Sequence, residues 1–579
     1  MKPLDCGRRL LPFVLLFSLC RAQAEPSPNP NLVLDVRDIV RVERDFQPAA
    51  ALDASFVPSP DEIREGAQPA LEISDLVSLV RESTGPMYWE QDGTDIRAED
   101  TGFLTVVCGE EMKAKVRSAL AQIRQMLFES VLVEVHELPG SVLKGRRAVL
   151  TDAEADAMLA QVGEHRQHFG LTNPRKPLLL ESRRTQNRVL GLDAKVATES
   201  SVLQLDVGAG CYGASWTVHA MRTVDETMLV TISGSERELE PTKGARAVPA
   251  GDEVARLELA KTRLATCHAS AYLRPGQALL LGTDSPLGKV LCVRIHATGA
   301  HANGTQGSSE IGELTAYPVA TIVRGGIPAQ NLQLPNSEAW LFPEEEGEPM
   351  PAVMDDGRLQ EWLKYQVSPS TWDGSPNTMC CVDAHLFVHA DPANQQAVAD
   401  HLIALQAIDR KQFDLEVRFG EIGPDALAAL RADQIEQLAE ALPQRSLSTV
   451  SASREVRISA TRHTPYVRGY DVEIASGSAT AVPRIDSVAQ GFLLRGTVAP
   501  ANQGKVMLDL DLTMLAHDDA QAVFDPKAGR LGSVDRVDVR ENKVRGASAV
   551  ALDKWTLLHL SPVEGTASHV AVVVRVRSL

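Results

Sequence analysis

The chain has 579 residues, with 58 Lys and Arg against 76 Asp and Glu, and a formal charge of −18. This acidic excess repels nucleic acid and anionic lipid at long range, and no basic stripe reverses it. After the first residues no run approaches the roughly 20 apolar residues of a membrane helix, and the length leaves room for roughly three to five domains.

The first element reads as a leader. Lys2, Arg8 and Arg9 precede a short apolar run over 10–20, and Ala22-Gln23-Ala24 supplies the small residues a signal peptidase requires. Residues 1–24 are therefore expected to be the signal peptide of a soluble exported protein. Cys20 makes a poor lipid-anchor site because the Leu19 before it is bulky.

Residues 31–140 read as a small α/β unit. In "FLTVVCGEEMKAKVRSALAQI" (103–123), Leu104 and Val106 alternate as on a strand, and Val116 and Leu120 sit four apart as on a helix. "LVEV" (132–135) is a further strand. An acidic helix, 150–162, opens a second region, 150–297. There apolar alternation broken by glycine predicts mostly antiparallel strands.

Gly208, Gly210 and Gly213 in this region fit G-x-G-x-x-G. The residues that follow, "ASWTVHAM", are strand-like, so the strand–turn–helix frame that holds a pyrophosphate is missing. The stretch reads as a shortened turn between two strands, and no nucleotide is expected. "TGAHANGTQGSSE" (298–310) is rich in Gly, Ser and Asn and reads as a flexible connector.

Beyond the connector the chain repeats. Leu34, Val36, Ile39 and Val40 recur 283 positions later as Tyr317, Val319, Ile322 and Val323. Leu76 meets Leu359 and Trp89 meets Trp372 at the same step, and with only six tryptophans in the chain such a match is hard to obtain by chance. At a step of 282, Leu104, Val106, Val116 and Leu120 face Leu386, Val388, Val398 and Leu402. "ASAYLRPGQALLL" (269–281) matches "ASAVALDKWTLLH" (547–559) at a step of 278. The second copy thus comprises 311–420 and 425–579, joined through a second acidic helix, 430–442.

Six cysteines follow the leader: Cys108, Cys211, Cys267, Cys292, Cys380 and Cys381. Six cysteines allow 15 pairings. Cys267 and Cys292, on two apolar strands expected to be neighbours, are the favoured pair; buried free thiols are an equal alternative.

The search for chemistry returns little. His165 and His168 are three apart, but no further ligand follows at metal spacing, so a solvated segment is the better reading. Glu134 and Glu416 occupy matched places in the two copies and are expected to face solvent rather than to form an acid–base pair. No serine elbow is present. The reading is no catalytic, metal or cofactor-binding residue, no cofactor and no enzyme.

The second copy carries a family resemblance. "TPYVRGYDVEIASG" (464–477) is followed by Val488-x-x-Gly491-x-x-Leu494-x-x-x-Val498-x-Pro500, then Gly504-x-Val506-x-Leu508-Asp509-Leu510. This resembles the core of secretins, the outer-membrane channels of bacterial secretion and type IV pili. The front units resemble the ring-stacking periplasmic N-domains of the same proteins, and "LDVRDIV" (34–40) is similar to the opening of secretin-like exported proteins. "SASREVRIS" (451–459) and the closing strands depart from the family pattern, and copy one departs further.

The resemblance and the repeat together imply an α+β fold: two tandem copies, each a small α/β sandwich N-domain followed by a mostly antiparallel secretin-like β-unit. The expected role is an exported, non-enzymatic protein of the periplasm or cell envelope. It would associate with protein partners, or with itself, through the N-domain-like units and sheet edges, with possible outer-membrane association and no nucleic acid. The alternatives are a functional secretin channel subunit and, disfavoured, a secreted hydrolase. The stretch 473–490 reads as too short and broken for two membrane-crossing strands. Val506, Leu508, Leu510 and Leu512 are expected on one face, with Asp509 and Asp511 on the wet one.

Overall fold

The computed structural model describes residues 32–40, 71–99, 102–127, 130–172, 177–197, 200–240, 246–250, 253–257, 260–297, 313–323, 353–372, 377–382, 384–431, 434–451, 454–475, 478–501, 504–517, 521–523, 534–563 and 567–579. The expected leader at 1–24 and the expected connector at 298–310 lie outside them.

The chain divides into two units, the first ending at Arg124. In the first, β1 (Leu32–Asp35) is followed by α1 (Ile73–Thr84), β2 (Asp95–Glu99), β3 (Phe103–Val107) and α2 (Glu110–Leu127). The strands form an antiparallel sheet in the order β1-β3-β2. Leu76, Leu79 and Val80 recur at helical spacing on α1 and are buried, as are Leu104 and Val106 of β3 and Val116, Leu120 and Ile123 of α2. Trp89 follows a 3₁₀ turn, and its indole N–H donates to Thr84 Oγ1 at 3.0 Å.

The second unit begins with β4 (Val131–Leu138), β5 (Val149–Thr151), α3 (Asp152–Val162), β6 (Arg166–Thr172), β7 (Leu178–Ala197), β8 (Ser200–Arg222) and β9 (Met228–Leu239). A short hairpin, β10 (Arg246–Ala250) and β11 (Glu253–Leu257), precedes β12 (Thr262–Leu273), β13 (Gln277–Thr283) and β14 (Val290–Ala297). A capping box starts α3: the Thr151 hydroxyl accepts from the Glu154 N–H, while the Glu154 carboxylate accepts from the Thr151 N–H.

Next come β15 (Glu313–Pro318), α4 (Ala320–Val323), α5 (Asp356–Gln366), β16 (Thr378–Val382), β17 (His385–Ala390) and α6 (Pro392–Asp409). These strands are ordered β15-β17-β16. Tyr317 pairs with Leu386 as Leu34 pairs with Leu104, and Trp372 follows a 3₁₀ turn as Trp89 does.

The last stretch holds β18 (Gln412–Ile422), α7 (Pro424–Arg431), α8 (Ile435–Ala441), β19 (Gln444–Ser451), β20 (Glu455–Ala475), β21 (Ser478–Pro500) and β22 (Lys505–His517). It ends with β23 (Gln521–Val523), β24 (Val534–Arg536), β25 (Val539–Ala551), β26 (Trp555–Pro562) and β27 (His569–Ser578). The acidic helix expected over 430–442 is replaced by α7 and α8.

Two large antiparallel sheets dominate this unit. Sheet I runs β26-β27-β18-β19-β13-β14-β4-β6, and sheet II runs β25-β22-β21-β20-β12-β9-β8-β7. Val135, Leu279, Val417 and Phe419 of sheet I share one buried cluster with Trp216, Ile232, Phe492 and Leu510 of sheet II. Phe419 meets Phe492 edge to face, with ring centres 4.7 Å apart. The fold is α+β with mostly antiparallel sheets. On β22, Val506, Leu508, Leu510 and Leu512 are buried, whereas Met507 is exposed.

Three expectations are corrected here. Gly208–Gly213 is not a turn but lies inside β8, and the chain reverses between Ala197 and Ser200. The stretch 473–490 is not a broken connection; it belongs largely to the long hairpin of β20 and β21. Pro483 is tolerated there because the pairing of β21 with β22 reaches no further than Gly491, so this half of β21 is paired on one side only. Cys267 and Cys292 are both free thiols, on strands of different sheets.

Gly491 shows why glycine misled. Its φ is +136°, and an added Cβ would stand 2.0 Å from the Ala460 carbonyl oxygen on the next strand. Gly213, with φ of +124°, holds the matching place in β8. Here glycine permits close approach within a sheet rather than a reversal.

Candidate functional site

The most elaborated region is the seam where residues 131–297 meet residues 412–578. In sheet II, β12 pairs with β20 over seven positions, from Thr262 opposite His463 to His268 opposite Arg457. Cys267 and Ile458, directly opposed, are both buried in the shared core. On the other face the Thr266 and Ser459 hydroxyls lie 2.6 Å apart. Arg263 stands opposite Arg462, and Glu240 removes the conflict by accepting from both guanidinium groups, at 2.5 and 2.8 Å.

In sheet I the seam joins β13 to β19, with Gly282 opposite Leu447 and Thr283 opposite Ser446. The Thr283 hydroxyl donates to the Arg445 carbonyl at 2.9 Å, and Asp284 accepts from the Arg445 N–H at 2.7 Å. Leu447 is fully buried among Leu138, Leu143, Leu150 and Met158, a burial worth about 2 kcal/mol. The Gln412 amide both donates to the Tyr272 carbonyl and accepts from the Tyr272 N–H.

The matched carboxylates do not face solvent. Glu416 is 1% exposed and lies within 3.2 Å of Arg418, 2.7 Å of Arg445, 2.7 Å of Arg575 and 3.0 Å of Arg577. Burial pushes its carboxyl up, but the guanidinium groups of Arg445, Arg575 and Arg418 outweigh that and leave it below the usual carboxylate range. Alternation on β18 does turn Glu416 away from the apolar core. Its other face is covered too: Arg418 donates to the Ala439 carbonyl of α8, and Arg575 stacks on Trp555 at 4.4 Å. Glu134 lies more openly, near Arg294 at 3.9 Å, His136 at 3.5 Å and His296 at 3.7 Å.

His165 immediately precedes β6 and His168 lies within it. His168 Nε2 is 2.9 Å from Glu137 Oε1, and His165 Nε2 is 2.9 Å from His136 Nδ1. Among the described residues no group of three or more His, Cys, Asp or Glu is arranged to hold a metal ion. Glu137 also accepts from the Trp216 indole at 3.0 Å, which ties sheet I to sheet II.

Glu236, on β9, is a buried carboxyl that the sequence reading missed. Arg166 bonds it at 2.8 Å and Lys289 stands 3.4 Å away. Burial and the neighbouring Glu137 charge push its pKa up to about 7. The available signal was weak, because Glu236 lies in the polar half of β9 between Ser235 and Arg237. These clusters carry charges against one another across packed sheets. The glycine triad sits within a strand, so no helix N-terminus is presented to a phosphate.

No family model and no curated protein matches the chain. Among solved structures it is similar to secretins. The InvG secretin domain of the Salmonella SPI-1 injectisome is 10% identical with a TM-score of 0.25, over 46% of this chain and 88% of that one. GspD, the type II secretion system secretin of E. coli K12, is 11% identical with a TM-score of 0.17, over 38% and 60%. Aeromonas hydrophila ExeD is 9% identical with a TM-score of 0.18, over 95% and 90%.

Proposed function

We propose that this chain is an exported, non-enzymatic cell-envelope protein with a structural or protein-interaction role, built from two tandem secretin-like copies. The copies comprise N-domain-like units at 31–140 and 311–420 and β-units at 150–297 and 425–579.

One observation carries the reading. The strand order β13-β14-β4-β6 in sheet I recurs as β26-β27-β18-β19, and β12-β9-β8-β7 in sheet II recurs as β25-β22-β21-β20. The halves join side by side, which suits a molecule that works through its surfaces. The leader-like start and the secretin-like motifs of 464–512 support an envelope location.

Cell fractionation with intact-mass measurement tests this. The expected result is an envelope fraction holding a chain that has lost 1–24. Retention of the leader in the cytoplasm would overturn it.

The hairpin lengths favour a second reading, a channel subunit. Strands β7, β8, β20 and β21 have 20, 23, 21 and 23 residues, and about 9–11 cross a bilayer. Against it, the β20–β21 hairpin carries Arg468, Asp471, Arg484 and Asp486, with Arg484 bonded to Asp471 at 2.5 Å. Stable conductance in planar bilayers would decide for the channel.

A further inference from the structure

The turn after α3 carries His165 onto His136 of β4, which lies 29 residues earlier in the chain. His136 Nδ1 and His165 Nε2 are 2.9 Å apart, with ring centres 5.1 Å apart and ring planes at 52°. We propose that these two nitrogens are the protein ligands of a divalent transition-metal ion of the zinc class, with water in its remaining positions.

The outer nitrogens fix the form of each ring. His165 Nδ1 lies 2.7 Å from the Gly163 carbonyl oxygen. A carbonyl only accepts, so Nδ1 carries the proton and Nε2 a bare lone pair. His136 Nε2 lies 3.5 Å from Glu134 Oε2. An ionised carboxylate also only accepts, so it draws the proton to Nε2 and bares Nδ1. Two lone pairs then face each other across 2.9 Å. A proton on His136 Nδ1 would bridge them, but it would turn a bare Nε2 toward the carboxylate. A second proton would place a charge on a ring that is 4% exposed. A metal ion removes the conflict. Histidines that bind metals donate their other N–H to a carboxylate or a backbone carbonyl, and this pair has one of each.

The surroundings suit a cation. Helix α3 has no Lys or Arg in its last turn, so its negative pole meets no basic side chain of its own where the chain turns into His165. Arg294, near Glu134, is held by Asp152 and Asp156. Gly163 and Glu164 are exposed and His165 is half-buried, which leaves a route in from solvent. Two nitrogens bound at about 2.0–2.1 Å to a tetrahedral zinc stand roughly 3.3 Å apart, so the rings need to part by only about 0.4 Å. Imidazole nitrogen selects zinc, copper or nickel over calcium and magnesium. His168 takes no part, because its Nε2 is 2.9 Å from Glu137 Oε1. With two protein ligands the site stays open, and the ion clips the lead-in to β6 onto β4.

The test titrates zinc into the untagged chain, first stripped with a chelator, and follows binding by calorimetry. Wild type is expected to take up a single ion with micromolar affinity. His165→Gln and His136→Gln should each weaken uptake about tenfold or more, and so should Glu134→Gln, which spares both ligands but frees the His136 ring. His168→Gln should bind as wild type does. Circular dichroism confirms that each variant is folded. If His136→Gln does not fold, the half-exposed His165→Gln decides. No uptake at millimolar zinc, an unchanged affinity in His165→Gln, or an equal loss in His168→Gln overturns the site.

Discussion

Arg575 lies directly opposite Glu416 across the β18–β27 pair, as Arg294 lies opposite Glu134 across β4–β14. The two pairs share a position but not an environment. Glu416 is 1% exposed and surrounded by Arg418, Arg445, Arg575 and Arg577, whereas the Glu134 side chain is 20% exposed and flanked by histidines where two of those arginines stand.

The first prediction follows from that difference. Glu416→Gln removes the buried carboxylate that Arg418, Arg445, Arg575 and Arg577 share. It should cost about 3–5 kcal/mol, the usual penalty for leaving buried charge uncompensated. Glu134→Gln should cost about 1 kcal/mol or less, because its contacts are longer and partly solvated. Urea midpoints of the two variants, at unchanged m-value, measure both. Equal losses would refute the assignment.

The second concerns pH. The Glu236 pKa is raised from 4.5 to about 7, chiefly by burial and then by the charge on Glu137. A carboxyl that holds its proton more tightly when folded stabilises the fold fully below its unfolded pKa. That contribution is lost as pH rises from about 4.5 through 7. The loss should be on the order of 3 kcal/mol, at 1.36 kcal/mol per unit. Glu236→Gln, which cannot ionise, should lack this fall. The difference in unfolding free energy between wild type and variant, followed from pH 4 to 8, should therefore change in the variant's favour as pH rises. A constant difference would exclude the raised pKa.

Much of the fold was legible because alternation and helical spacing act locally. Val506, Leu508, Leu510 and Leu512 announce their buried face, and Val116 and Leu120 their helix. What failed depended on partners far along the chain. Glu416 faces away from the apolar core, as its strand demands, but α8 and Trp555 cover that side. The glycines of 208–213 resembled a turn because nothing local tells a reversal from an extended ribbon. Likewise, nothing local in 478–490 shows that it pairs with 462–475. The seam was invisible for the same reason: β12 and β20 are separated by a complete front unit.

The third prediction tests a glycine within a strand. Gly491→Ala would place a Cβ 2.0 Å from the Ala460 carbonyl at a φ of +136°. Both sheet spacing and backbone angle must then give way, at a cost of about 2 kcal/mol or more. Gly469 has open space around it and none of this strain, so Gly469→Ala should change stability by about 0.5 kcal/mol at most. Thermal midpoints of the two variants decide the matter, and similar midpoints would show that Gly491 is not a point of close approach.

The fourth is that the G-x-G-x-x-G stretch binds no dinucleotide. In β8 its backbone is extended and paired with β7 from Arg183 to Arg188, so it forms no turn whose amides converge on a phosphate. Millimolar dinucleotide should leave the melting temperature unchanged. A ligand with micromolar affinity would stabilise the protein by about 4 kcal/mol at a thousandfold excess over its dissociation constant, and such a shift would reverse the conclusion.

The last prediction concerns Cys267 and Cys292. Cys267 is on β12 and shares the core between the sheets, whereas Cys292 is on β14 and packs with Leu280 and Leu447 on the far face of sheet I. Sulfurs on opposite faces of an intact sheet cannot reach the 2.05 Å of a disulfide without dismantling it. Burial also pushes both thiols up, that of Cys292 to about 12. The reactive thiolate is therefore scarce at neutral pH, and attack by an oxidant or alkylating reagent must wait for unfolding. In the oxidised, purified chain both should react slowly with iodoacetamide under native conditions and fully in denaturant without reductant. Peptide mapping distinguishes the outcomes. A Cys267–Cys292 crosslinked peptide, or a requirement for reductant before either residue is modified, would place these strands side by side and contradict the two-sheet arrangement.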